Sequence, residues 1–146
     1  MLRGSYTATV DSKGRLKFPA AFKSVLEETY SVEFYVTSLN GDFVRIYPFS
    51  VWREIEDKLA SLPSFDKTKK KFLNRTNYFG QMVRMDGQGR ILIPPLLRQT
   101  AHMRGEVAVV GGLTYMDVWS RERFRDEIEQ NPITPEDEET LSNLGI

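Results

Sequence analysis

Apolar and polar residues alternate near the start of the chain. Tyr6, Ala8 and Val10 are separated by Thr7 and Thr9, the period of two of a strand with one buried face. The residues from Asp11 to Gly14 break that pattern, and after them Leu16 and Phe18 point one way while Lys17 points the other. The runs VEFYVTS and FVRIY are again strand-like, with Asn40-Gly41 between them as a two-residue hairpin signal. Beyond Tyr47 the spacing changes. Trp52, Ile55 and Leu59 recur at helical intervals, predicting a helix over SVWREIEDKLASL that Ser50 can cap.

The same order of patterns then returns. VDSKGRLKFPAAFK (10–23) matches MDGQGRILIPPLLR (85–98) at a constant offset of 75, with Asp11/Asp86, Gly14/Gly89, Arg15/Arg90 and Pro19/Pro94 identical. Leu16 pairs with Ile91, Phe18 with Ile93, Phe22 with Leu97 and Lys23 with Arg98. EVAVV, the turn GGLT, YMDVW and the helical run SRERFRDEIEQ complete the second copy, which is shortened by about three residues, so Tyr47 aligns with Trp119 and Trp52 with Phe124. Ser120 can cap its last helix, and Phe124 and Ile128 fall at helical spacing. Pro19 and Pro94 suit the first turn of a helix, where the missing amide proton costs nothing. The trailing aromatics Trp52 and Phe124 read as core. Two copies of a β-β-α-β-β-α plan result: 1–62, a basic linker 63–76 whose Lys-rich part forms a short helix or a loop, 77–130, and an acidic tail 131–146. Thr134 and Pro135 can start one short helix in that tail, but a frayed end is the expectation, with docking on a neighbouring subunit as the alternative.

With 146 residues, 40% of them apolar and 12% aromatic, a packed globular chain is expected rather than a disordered, collagen-like or coiled-coil one. Cysteine is absent and His102 is the single histidine, so disulfides, common zinc sites and imidazole-based nucleophilic catalysis lose their residues. No signal-peptide core and no membrane-length apolar run occurs, and a cytoplasmic location with no membrane partner is expected. The net charge is zero, yet it is segregated: +4 over 1–23, −5 over 24–66, +8 over 67–104 and −7 over 105–146. Two basic blocks meeting on one surface offer a path for phosphates. The cluster Lys67, Lys69, Lys70 and Lys71 reads equally well as a solvated helix face.

The duplicated D-x-x-G-R motif carries the candidate chemistry. Asp can close an Asx-type turn on the amides that follow, and Gly can take the positive φ that most residues avoid, so Asp11, Gly14, Asp86 and Gly89 shape two hairpin tips. An exposed salt bridge closing a turn would be the plain reading of one such motif. Retention of Asp, Gly and Arg in both copies, while Ser12/Gly87 and Lys13/Gln88 diverge, favours a shared function. Paired carboxylates for acid–base work are disfavoured, because Arg15 and Arg90 hold the acids ionised and no nucleophile, P-loop or metal cluster accompanies them. Arginine's planar fork suits phosphate or a guanine edge, and a projecting two-stranded ribbon can enter the major groove. Arg15 and Arg90 are therefore candidate readers of DNA, with Arg3, Lys13, Lys17 and Arg84 as nearby phosphate contacts.

The opening MLRGSYTATVDSKGRLKFPAAFK, the second MDGQGRILIPPLLR and the VGG…VW segment together resemble the MraZ family of bacterial transcriptional regulators over about residues 1 to 130. That resemblance implies an α+β, mainly β fold: an AbrB-like swapped-hairpin β-barrel built from both repeats, with flanking helices, assembling into a ring-shaped homo-oligomer. It implies binding to short G-containing direct repeats upstream of the division and cell-wall gene cluster, including its own operon, with D-x-x-x-R as the recognition signature, here Asp11, Arg15, Asp86 and Arg90. Lys13 matches the usual basic residue inside the motif, whereas Gln88 departs from it, so unequal tips are expected. Double-stranded DNA and further copies of the chain are the expected partners, in a nucleoid-associated protein. No cofactor, metal, catalytic residue or small-molecule ligand is expected. An AbrB-like antitoxin or protein-interaction module, and a nonspecific nucleoid protein, are the alternatives.

Overall fold

The alternating segments become strands. In a computed structural model describing residues 1–146, the first copy forms β1 (Ser5–Val10), β2 (Arg15–Lys17), α1 (Ala20–Thr29), β3 (Glu33–Thr37), β4 (Val44–Pro48) and α2 (Phe49–Ala60). After α3 (Lys67–Tyr78), the order repeats as β5 (Gln81–Arg84), β6 (Arg90–Leu92), α4 (Pro95–Thr100), β7 (Gly105–Gly111), β8 (Met116–Ser120) and α5 (Arg121–Gln130), and α6 (Pro135–Asn143) closes the chain.

All eight strands lie in one sheet, in the order β5-β3-β4-β8-β7-β1-β2-β6, and every pairing is antiparallel. The two ends, β5 and β6, are consecutive strands joined by the second D-x-x-G-R turn, so the sheet curls into a nearly closed barrel. Its pairings exchange partners between the copies. β1 runs beside β7, with Ser5 opposite Val110, and its counterpart β5 runs beside β3, with Val83 opposite Phe34. Equivalent strands pair with each other at Leu16–Ile91 in β2 and β6 and at Arg45–Asp117 in β4 and β8. This is the swapped-hairpin barrel of two repeats.

Inward positions of both copies meet in one core. Leu16, Phe22, Phe34, Ile46, Ile91, Leu97, Val109 and Val118 are almost wholly buried within a cluster of 21 residues. Burying such side chains removes apolar surface from water at ~25 cal/mol per Å², the main favourable term in folding. A second cluster sits outside the barrel. Trp52 of α2 stacks on Tyr35 at 4.5 Å, packs on Tyr47 at 5.1 Å and faces Phe72 of α3 at 6.3 Å. The Thr76 carbonyl accepts from Tyr35 Oη (2.9 Å) and Thr37 Oγ1 (2.8 Å), so α3 is fastened to β3. The basic segment between the copies is thus a twelve-residue helix with tertiary contacts.

Four local expectations are corrected. Asn40-Gly41 does not make a two-residue hairpin: β3 stops at Thr37 and β4 starts at Val44, because Phe43 leaves the ladder to stack on Trp119 at 4.2 Å. Ser38 Oγ holds the wider loop by donating to the Phe43 carbonyl and accepting from Gly41 N–H. Ser50 does not cap α2, since Pro48 ends β4 and leads directly into the helix, leaving Ser50 inside its first turn. Ile128 stays 61% exposed, because α5 touches the sheet near Phe124 and then runs past it. The tail, expected to fray, is helical: Thr134 and Asp137 form a capping box, and three acidic residues occupy the first turn. No residue of that helix is buried. Ser120, by contrast, does cap α5, accepting from Arg123 N–H at 3.2 Å.

Candidate nucleic-acid interface

Each D-x-x-G-R segment folds on its own atoms. Asp11 Oδ1 accepts from the N–H groups of Lys13 (3.0 Å) and Arg15 (2.9 Å), while Oδ2 accepts from Arg15 Nε at 2.8 Å. Gly14 donates to the Asp11 carbonyl at a φ of +82°, where other residues are strained. The second segment repeats every bond: Asp86 Oδ1 takes Gln88 N–H (2.9 Å) and Arg90 N–H (3.0 Å), Oδ2 takes Arg90 Nε (2.9 Å), and Gly89 has φ +74°.

These bonds set the charge state. The Arg15 backbone N–H holds the Asp11 carboxyl below the usual aspartate value, against the opposing effect of burial and with help from the Arg15 guanidinium and Lys13 N–H. At Asp86 burial pushes upward, but the N–H groups of Arg90 and Gln88 and the Arg90 guanidinium outweigh it and the value is again lowered. Both acids are therefore ionised acceptors, unsuited to donate protons at neutral pH. Each Asp engages the guanidinium of its arginine only through Nε. The terminal nitrogens of Arg15 and Arg90 make no hydrogen bond within the chain, so two orientated forks remain free to donate.

The barrel places both forks on one surface. With Leu16 and Ile91 facing the core, Arg15, Lys17 and Arg90 share the outer face of the β2–β6 ladder, Lys17 directly opposite Arg90. Arg15 and Arg90 are then diagonal cross-strand neighbours, with Cα atoms roughly 7–8 Å apart. The guanidinium-bearing side chains are 33% and 23% exposed, enough to be reached from solvent yet held by their turns. Leu92 completes the face and is 41% exposed.

The ladder continues past its ends into the turns. Phe18 N–H donates to the Gly89 carbonyl (3.0 Å) and Ile93 N–H to the Gly14 carbonyl (2.8 Å), so each copy's chain braces the other's tip. Lys13 is exposed on the first tip. Arg84 ends β5 two residues before Asp86, with Nη1 3.6 Å from Glu33. Arg3 is not brought to the tips: it precedes β1, and the six residues of that strand, about 20 Å of extended chain, separate it from Asp11.

The structure adds residues that sequence reasoning did not single out as site residues. Lys23 of α1 packs on Gly89, and Arg98 of α4 packs on Gly14 so closely that a Cβ there would collide with its guanidinium. Arg104 lines the same cleft as Arg98. The alignment of Lys23 with Arg98 was the available signal, but it did not say that each would reach the opposite copy's tip. A third Asp–Arg pair lies elsewhere. Arg45 and Asp117, equivalent positions of the two copies, form a two-pronged ion pair at 2.7 and 3.1 Å with Arg45 4.2 Å from the Tyr115 ring centre. Burial alone would disfavour the charged guanidinium, but Asp117 outweighs it and holds Arg45 protonated. Both prongs are occupied there, so this pair ties β4 to β8 across the seam between the copies rather than facing a ligand. No group of three metal-ligating side chains comes together, and no helix is long and apolar enough to cross a membrane.

Comparison with known proteins follows the same two-part division. The family model "MraZ protein, putative antitoxin-like" matches residues 1–75 and 80–143. A protein of Koribacter versatilis named transcriptional regulator MraZ is 52% identical over the whole of both chains, and one of Acidobacterium capsulatum with the same name is 47% identical, also end to end. A third, from Moorella thermoacetica, is 39% identical over 86% of this chain and 85% of its own.

Proposed function

Because the chain belongs to the MraZ family, we propose that it regulates transcription by binding double-stranded DNA through the outer face of the β2–β6 ladder. The observation that carries this is the pair of free guanidinium forks, each fixed through Nε by its own aspartate and both set on one surface beside Lys17. A fork held in advance loses little freedom on binding, and its parallel donors match the O6 and N7 acceptors of guanine or two phosphate oxygens. Arg15 reads a guanine edge, Arg90 is a second reader, and Lys13 and Lys17 position the ribbon on phosphates. Arg84 contributes less, its charge being shared with Glu33. Arg3, a strand's length away, contacts the backbone only if DNA extends past the tip.

One such face makes few contacts and binds weakly. The resemblance noted above supplies the remedy: a homo-oligomeric ring, in which successive copies engage successive direct repeats and later contacts become intramolecular. The targets are then short repeats upstream of the division and cell-wall genes, in a cytoplasmic, nucleoid-associated regulator.

Fluorescence anisotropy on the upstream duplex and a scrambled duplex, across a salt series, tests this. Preference for the native repeats with a steep negative salt slope is expected. Arg15→Ala, with the oligomer intact, should weaken binding about tenfold or more per engaged copy, the effect of one lost bidentate contact worth about 1–3 kcal/mol. Unchanged affinity would remove Arg15 from the reading role. Absence of binding to either duplex at low salt would instead favour a protein-interaction module, and equal binding to both a nonspecific nucleoid protein.

A further inference from the structure

The two turns are alike in their bonds but not in what surrounds them. Beside the first turn is a cleft of about 620 Å³ lined by Asp11, Ser12, Arg98, Gln99 and Arg104 among others. Asp11 spends its hydrogen bonds on Lys13 N–H, Arg15 N–H and Arg15 Nε, with Arg15 balancing its charge, and it bonds to neither Arg98 nor Arg104. Neither Arg98 nor Arg104 makes an ion pair or a side-chain hydrogen bond, and Arg98 Nε is buried with no partner. Gly14, having no Cβ, leaves the room at the tip that the Arg98 guanidinium occupies, directly beside the turn that carries Arg15. Two cations, Arg98 and Arg104, that line one open cleft without an acidic partner can share an anion between them.

The matching cleft at the second turn, about 580 Å³, is built differently. Lys23, the counterpart of Arg98, lies 3.6 Å from Glu27, and Arg84 lies 3.6 Å from Glu33. Glu27 has His102 as its counterpart in the second copy. Each cation of the second cleft, Lys23 and Arg84, thus has an acidic neighbour that Arg98 and Arg104 lack, and the two clefts differ in electrostatic character although their backbones correspond.

We propose that the cleft at the first turn is a phosphate site, in which Arg98 and Arg104 hold a DNA backbone phosphate next to the base contacted by Arg15, and that the cleft at the second turn is not. This rests on the DNA-binding function above and adds to it a division of labour: the second repeat supplies the phosphate clamp for the first repeat's reader. The two tips therefore contribute unequally, and the first fixes the register of each copy on the duplex.

The test is the salt dependence of binding to the upstream duplex by Arg98→Gln, Arg98→Lys, Arg104→Gln and Lys23→Gln in the full-length oligomer. Loss of one phosphate contact reduces the slope of log K against log salt by about 0.9. Arg98→Gln and Arg104→Gln should each show that reduction with roughly tenfold weaker binding at moderate salt, Arg98→Lys should keep most of the slope, and Lys23→Gln should match wild type. Arg104 is exposed, so its variant remains informative even where Arg98→Gln disturbs folding. A wild-type protein that binds no DNA would overturn the functional proposal itself. Wild-type binding with unchanged slopes in both Gln variants would overturn only the phosphate site. A thermal-shift titration with inorganic phosphate at matched ionic strength separates the sources: stabilisation abolished by Arg98→Gln, with duplex binding intact, would identify free phosphate and refute the DNA assignment.

Discussion

At the scale of single residues, aspartate does most of the building. Asp11 and Asp86 each gather two backbone N–H groups and one guanidinium nitrogen, a set of acceptor bonds that favours the ionised carboxylate. Both carboxyls are held below the ordinary aspartate value, so the turns contribute their full stability above that value and lose it as pH falls through the lowered one. The thermal midpoint should fall more steeply from about pH 5 to about pH 2 in wild type than in an Asp11→Asn, Asp86→Asn double variant; equal slopes of midpoint against pH would refute the linkage. Gly14→Ala meets two obstacles, the positive φ and the Arg98 guanidinium, and should cost about 1–3 kcal/mol in denaturant unfolding. The D-x-x-G-R chemistry was legible in the sequence because its bonds span four residues. The partners of Gly14 and Gly89 were not, because Arg98 and Lys23 reach them only through the fold.

Among the elements, periodicity predicted well where a segment's own pattern decided its fate. Leu16, Phe18, Ile91 and Ile93 face the core as the period of two requires, and Trp52 is 3% exposed on the predicted face of α2. It failed where a neighbour intervened, as when stacking on Trp119 draws Phe43 out of the hairpin at Asn40-Gly41. Trp52 belongs to a cluster separate from the barrel core, which makes a distinguishing prediction. Trp52→Ala should lower stability by about 3–5 kcal/mol, and hydrogen exchange should quicken first in α2 and α3. Protection lost uniformly across β1 and β7 would contradict that separation. Truncation after Asn131 removes α6, no residue of which is buried, and should leave the thermal midpoint of the barrel unchanged.

For the whole molecule the deciding fact is that neither copy closes a sheet alone. β1 finds its long partner in β7, and β5 finds its partner in β3, so residues 1–62 expressed alone would expose β1 and β3 as open edges. That fragment should fail to fold as a monomer by circular dichroism and size exclusion, and mixing it with residues 63–146 should restore the barrel. At the second symmetric seam the copies have diverged into Arg45 and Asp117, charges of opposite sign at equivalent positions. A double-mutant cycle with Arg45→Ala and Asp117→Ala should give a coupling of about 1–3 kcal/mol. The sequence by itself determined the repeat, the strand and helix faces and the two aspartate-closed turns, because each depends on residues a few positions apart. Only the tertiary structure decided that both arginine forks share one surface, that each tip is braced by the other copy, and that the two clefts differ in charge. Those relations depend on cross-repeat pairing, in which contacts between residues some 75 positions apart are set by the closure of the barrel.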